Sequence, residues 1–92
     1  MIGVCEVRLH LPEVNSLKGK RKIIKGIKDR IRSKFNVSVA ELDAHDKWQI
    51  AVIGIACIHK DQTRIDQVLN HVVSMIESIP TVLLTDYSVD FI

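Results

Sequence analysis

The chain has 92 residues, 47% of them hydrophobic and 4% aromatic, with 13 Lys+Arg against 11 Asp+Glu for a net charge of +2. That is one domain with one core, too apolar to be intrinsically disordered. Two cysteines, Cys5 and Cys57, cannot build a disulfide framework or a four-cysteine zinc site, and no apolar run reaches the roughly 20 residues that crossing a bilayer requires. The start, Met1-Ile2-Gly3-Val4-Cys5-Glu6, has no basic segment and an early acid, unlike a signal peptide. The expectation is a cytoplasmic protein with no membrane partner.

Residues 2–12 alternate: Cys5, Val7, Leu9 and Leu11 share one face, and Glu6, Arg8 and His10 the other. This is a half-buried strand ended by Pro12. Ser16 is suited to cap a helix over Leu17–Lys34, with Leu17, Ile24, Ile27, Ile31 and Phe35 as its apolar stripe. Gly19 and Gly26 interrupt it, and Gly26 either allows close approach to a sheet or is simply tolerated. Val37–Leu42 reads as a second strand and Asp43–Asp46 as a polar turn. Gln49–Ile58 is almost continuously apolar, which predicts a central strand. Asp61 or Thr63 opens a second helix whose buried side is Ile65, Val68, Leu69, Val72, Val73, Ile76 and Ile79, and Pro80 ends it. Val82–Ile92, with Tyr87, Val89 and Phe91 alternating, is the fourth strand. The order βαββαβ predicts an α+β, ferredoxin-like sandwich: a four-stranded antiparallel sheet with two helices on one face.

The charge is unevenly distributed. Residues 1–35 sum to +7 and residues 36–92 to −5. Nine of the 13 cations lie between Lys18 and Lys34. Lys18, Lys20, Arg21, Lys22, Lys25, Lys28 and Arg32 are the candidate RNA-binding residues. Like charges recur along this helix at i,i+3 and i,i+4, opposed only by Lys25–Asp29 and Asp29–Arg32, and a polyanion would relieve the repulsion. The bland alternative is a solvated helix face, screened by salt.

Several segments together resemble the YlxP-like family of small bacterial proteins: Gly3–Pro12, Ser16-Leu17-Lys18-Gly19-Lys20-Arg21, Phe35–Glu41 and Asp43–Gln49. The resemblance spans nearly the whole chain. It implies a ferredoxin-like fold and no established activity. Such proteins are often encoded beside translation and ribosome-assembly factors, ribosome-binding factor A among them, which implies RNA or a ribosomal particle as partner. The chain departs from the family pattern at Gly19, where an acid is expected, and at Lys47, where an apolar residue is expected.

Other chemistry is poorly supported. The central strands carry no aromatic on which bases could stack, which disfavours sheet-based RNA recognition. Asp43, His45 and Asp46, with His10 and His59, are metal-ligand types without a metal-site spacing, and a polar turn explains the aspartates. No phosphate loop, nucleophile elbow or paired carboxylates suggest an enzyme, and no cofactor is expected. Cys5 and Cys57 should be free, buried neighbours, and Trp48 a packing residue, with a partner's anchor as the alternative. Because residues 50–58 are apolar at both parities, the outer sheet face needs cover. Arg8, His10 and Tyr87 are one source; a second copy, in a homodimer serving protein interaction, is the alternative.

Overall fold

The computed structural model describes residues 1–44 and 46–92; His45 lies outside the described residues. The elements are β1 (Ile2–His10), α1 (Leu17–Lys34), β2 (Ser38–Asp43), β3 (Ile50–Ile58), α2 (Gln62–Glu77) and β4 (Leu83–Phe91). They form one antiparallel sheet in the order β2-β3-β1-β4. This is the expected ferredoxin-like fold. β1 and β3 run through the centre, pairing from Ile2 with Ile58 to His10 with Ile50.

Strand parity sets the two faces of the sheet. Cys5, Val7 and Leu9 on β1, and Ala51, Ile53, Ile55 and Cys57 on β3, turn inward. They meet Ile24, Ile27 and Ile31 of α1 and Ile65, Leu69, Val72 and Ile76 of α2 in one core. α1 starts where Ser16, in extended conformation, accepts a hydrogen bond from the Gly19 N–H at 3.0 Å, satisfying one of the donors a helix start leaves open. It ends at Phe35, whose N–H still donates to the Ile31 carbonyl. Cys5 and Cys57 are free, buried and on the same face of adjacent strands.

The close approach of helix to sheet falls at Gly3. A Cβ there would collide with Ile65 Cγ2, whereas one at Gly26 would meet nothing within 4 Å. Gly26 is exposed, so of its two readings close approach to the sheet falls and simple tolerance in the helix stands. Tyr87 also moves. It pairs with Val7, and Val89 with Cys5, which puts it on the helix side of the sheet rather than over the outer face. Trp48 is 50% exposed, at odds with a packing role.

The outer face is divided. Its β1–β4 half carries Glu6, Arg8, Asp86, Ser88 and Asp90. Its β2–β3 half holds Ala40, Leu42, Val52, Gly54 and Ala56. Val52 is only 3% exposed, in register between Arg8 and Asp43, so neighbouring strands already shield part of the greasy strand.

Candidate nucleic-acid interface

The cations of α1 divide by their place on the helical wheel. Positions 17, 20, 24, 27 and 31 follow one inward stripe, so Lys20 points where a leucine would be expected. It is 1% exposed. Its Nζ stands 2.9 Å from Glu41 Oε2, without hydrogen-bond geometry, and donates to the Ala44 carbonyl. Lys20 is therefore removed from the RNA-binding set: phosphates cannot reach it, and its charge is already matched. Glu41 lies at the inward parity of β2 together with Val39, so both halves of the pair had a spacing signal that reading them simply as charges misses.

The same lysine ties down the β2–β3 connection. Ala44 has φ 63°, the left-handed region that few non-glycine residues occupy. Its N–H donates to Asp43 Oδ1 at 2.7 Å, and its carbonyl also accepts from the Lys47 N–H at 3.1 Å. Lys47, where an apolar residue was expected, is exposed and serves this turn through its backbone. Asp43 likewise has a structural task; His45, another residue of the proposed polar cluster, lies outside the described residues. Among the described residues no group of three or more His, Cys, Asp or Glu is placed to hold a metal ion.

Lys18, Arg21, Lys22, Lys25 and Arg32 are exposed, and Lys28 is half-buried. Four of the six share a concave surface. Arg21, Lys25, Lys28 and Arg32 line a groove of about 380 Å³ between α1 and β2, with Asp29 and Glu41 as its carboxylates. Two of the cations are engaged. Lys25 Nζ donates to Asp29 Oδ2 at 2.7 Å, and Arg32 lies 3.8 Å from Asp29 Oδ1 while its Nη2 donates to the Val39 carbonyl at 3.1 Å. The Lys25 hydrogen bond, aided by the Lys25, Arg32 and Lys28 charges, holds the Asp29 carboxyl below its usual range. Such exposed pairs contribute little to stability but preset the side chains along the groove. Lys18, Arg21, Lys22 and Lys28 have no salt-bridge partner among the described residues. Arg32 and Lys34 in the last turn suit the negative end of the helix dipole, whereas the first turn holds Lys18 and no acid.

Order, pairing and charge thus define a small ferredoxin-like protein with a basic groove beside its β2 edge. The chain belongs to the family described as "Protein of unknown function (DUF503)", which it matches over residues 2–89. It is 35% identical over 82 residues to "Uncharacterized protein YlxP" of Bacillus subtilis (strain 168), covering 89% of each chain. Among solved structures it is similar to "De novo designed protein Foldit4", with a TM-score of 0.60 and 18% identity over 99% of this chain and 98% of that one. At that identity the likeness concerns the fold alone. Among the described residues no helix is long and apolar enough to cross a membrane.

Proposed function

We propose that the protein acts without catalysis in the cytoplasm, binding RNA or a ribosomal particle through the phosphates along α1. The observation that supports this most is the groove itself. Arg21, Lys25, Lys28 and Arg32 line one concave strip, with Lys18 and Lys22 exposed on the same helix. Lys and Arg contacts to phosphate give affinity and salt dependence, with little sequence preference. The binding set is Lys18, Arg21, Lys22, Lys25, Lys28 and Arg32. With about four phosphates neutralised on single-stranded RNA, log K should fall with log salt at a slope near −3. Replacing Arg21, Lys22 and Lys28 by Glu should abolish binding at moderate salt; single Lys22→Gln should reduce the slope by about one. Binding indifferent to both salt and charge reversal would refute the phosphate reading.

A second reading is a homodimer through the outer face, serving protein interaction. It rests on one feature: a groove of about 230 Å³ lined by Val4, Ala40, Gly54 and Ala56 beside Leu42, which is 50% exposed. A knob beside a hole of small residues is self-complementary across a two-fold axis. Light scattering decides it: a mass near 10.4 kDa at high concentration removes the dimer.

A further inference from the structure

A second concave site lies at the opposite end of α1, where the last turn of that helix, the end of β3 and the first turn of α2 meet. The cavity is about 290 Å³ and includes Lys34, Asn36, His59 and Arg64 in its lining, with Phe35 and Val68 as apolar surface. Among the described residues no carboxylate lines it. Asp61 and Asp66, the nearest acids along the chain, do not contribute to the lining, and the Asp61 side chain, at the start of α2, makes no cap hydrogen bond.

The placement follows from the backbone. Phe35 leaves the helix in extended conformation, φ −131° and ψ 144°, and the chain turns from there into β2. His59 N–H donates to the Met1 carbonyl, which holds the end of β3 against the first residue. His59 Nδ1 accepts the Asp61 N–H at 2.9 Å. With Nδ1 accepting, the ring's remaining donor is Nε2–H. Arg64 occupies the first turn of α2, where the helix dipole also favours an anion.

We propose that this cavity binds a phosphate monoester carried on a small organic group. Two formal positive charges, Lys34 and Arg64, match the two charges of a monoester. Arg64 can grip two oxygens at once, and the His59 Nε2–H and the Asn36 amide are further donors. The Phe35 and Val68 surfaces suit the carbon skeleton of the ester, and the volume lies at the lower end for ligand sites. The ester is either a free small molecule or the terminal phosphate of a nucleic acid, and both present the same dianion. None of the residues belongs to the set assigned to RNA on α1, so the two sites stand or fall separately.

Amide spectra of the full chain test this, with inorganic phosphate, uridine 5′-monophosphate and single-stranded RNA bearing either a 5′-phosphate or a 5′-hydroxyl as probes. The amides of Phe35, Asn36, His59 and Arg64 should shift saturably with inorganic phosphate and more strongly with the monophosphate. Affinity for both should fall about tenfold or more in the Lys34→Gln/Arg64→Gln variant. Val68→Phe should weaken the monophosphate and spare inorganic phosphate. The Arg21→Glu/Lys22→Glu/Lys28→Glu variant should retain both. Tighter binding of 5′-phosphorylated RNA than of its hydroxyl counterpart, dependent on Arg64, identifies the nucleic-acid end as the source; equal binding of the two RNAs with retained monophosphate binding identifies a free ester. Shifts that do not saturate, or that persist unchanged in Lys34→Gln/Arg64→Gln, overturn the site.

Discussion

Replacing Lys20 by Met keeps most of the buried stem and removes the charge. Glu41 Oε2 then loses its ion-pair partner at 2.9 Å, and the Ala44 carbonyl loses one of its two donors. Removing one member of a buried pair costs about 3–5 kcal/mol. Glu41 Oε2 is itself shielded from water, but the side chain keeps 15% accessible, so a rotation can carry the orphaned carboxylate to solvent, which lowers the figure to about 2–3 kcal/mol. In a domain of this size that corresponds to a melting-temperature loss of about 8–24 °C, at about 4–8 °C per kcal/mol. Glu41→Gln should cost at least as much, because the ammonium it abandons is only 2% accessible. The double variant Lys20→Met/Glu41→Leu should recover most of either loss, since two apolar side chains substitute well for a buried pair. Thermal and urea unfolding of the three variants measure this. The salt slope of RNA binding should be untouched in Lys20→Met, because a buried lysine meets no phosphate. Two single variants each within about 0.5 kcal/mol of wild type, or a slope reduced by one charge, would show that Lys20 is exposed and the argument mistaken.

Other substitutions probe the packing. Gly26→Ala should stabilise by about 0.5–1 kcal/mol in urea unfolding, since the position is helical and a Cβ meets nothing there. Gly3→Ala should destabilise by about 1–3 kcal/mol because its Cβ strikes Ile65 inside the core. Gly54→Ala should cost less, since the atoms it meets belong to the half-exposed Leu42; equal losses at the two glycines would contradict this packing. Burial raises the Cys5 thiol from 9.0 to about 11. The folded state therefore retains a proton that the unfolded thiol releases, so its contribution is intact below pH 9 and is lost as pH rises towards 11. The pH dependence of stability over that window should be flatter in Cys5→Ala, by at most about 2–3 kcal/mol.

Hydrophobic period made most of this fold legible in the sequence. Leu17–Lys34 is helical over the predicted span, and the two-sided apolar run at 50–58 is a central strand, because burial on both faces leaves few other places for such a segment. Face assignments beyond the core were harder. Tyr87 shares its parity with Val89 and Phe91, so its inward side was present in the pattern, but assigning it to an outer face required ignoring that phase. Lys20 shows a similar limit. Its charge suggested solvent, while its spacing placed it with Ile24 and Ile27, and only the facing Glu41 makes the second outcome affordable. The groove and the cavity at the end of α1 bring together residues distant in the chain, such as Lys34 and Arg64. No local spacing records that kind of proximity.

The central position of β1 links synthesis to folding. Its outer partner is β4, joined from Gly3 with Phe91 to His10 with Leu83, so β1 must wait for a strand translated much later. Until residues 83–91 leave the ribosome, the nascent chain presents the unpaired backbone edge of a strand whose Cys5, Val7 and Leu9 belong to the finished core. Such an edge invites pairing with other chains. Loops this long also slow folding. During that interval solubility depends on early packing of α1 and α2 onto β1 and β3, and the β1 edge is covered only when β4 docks.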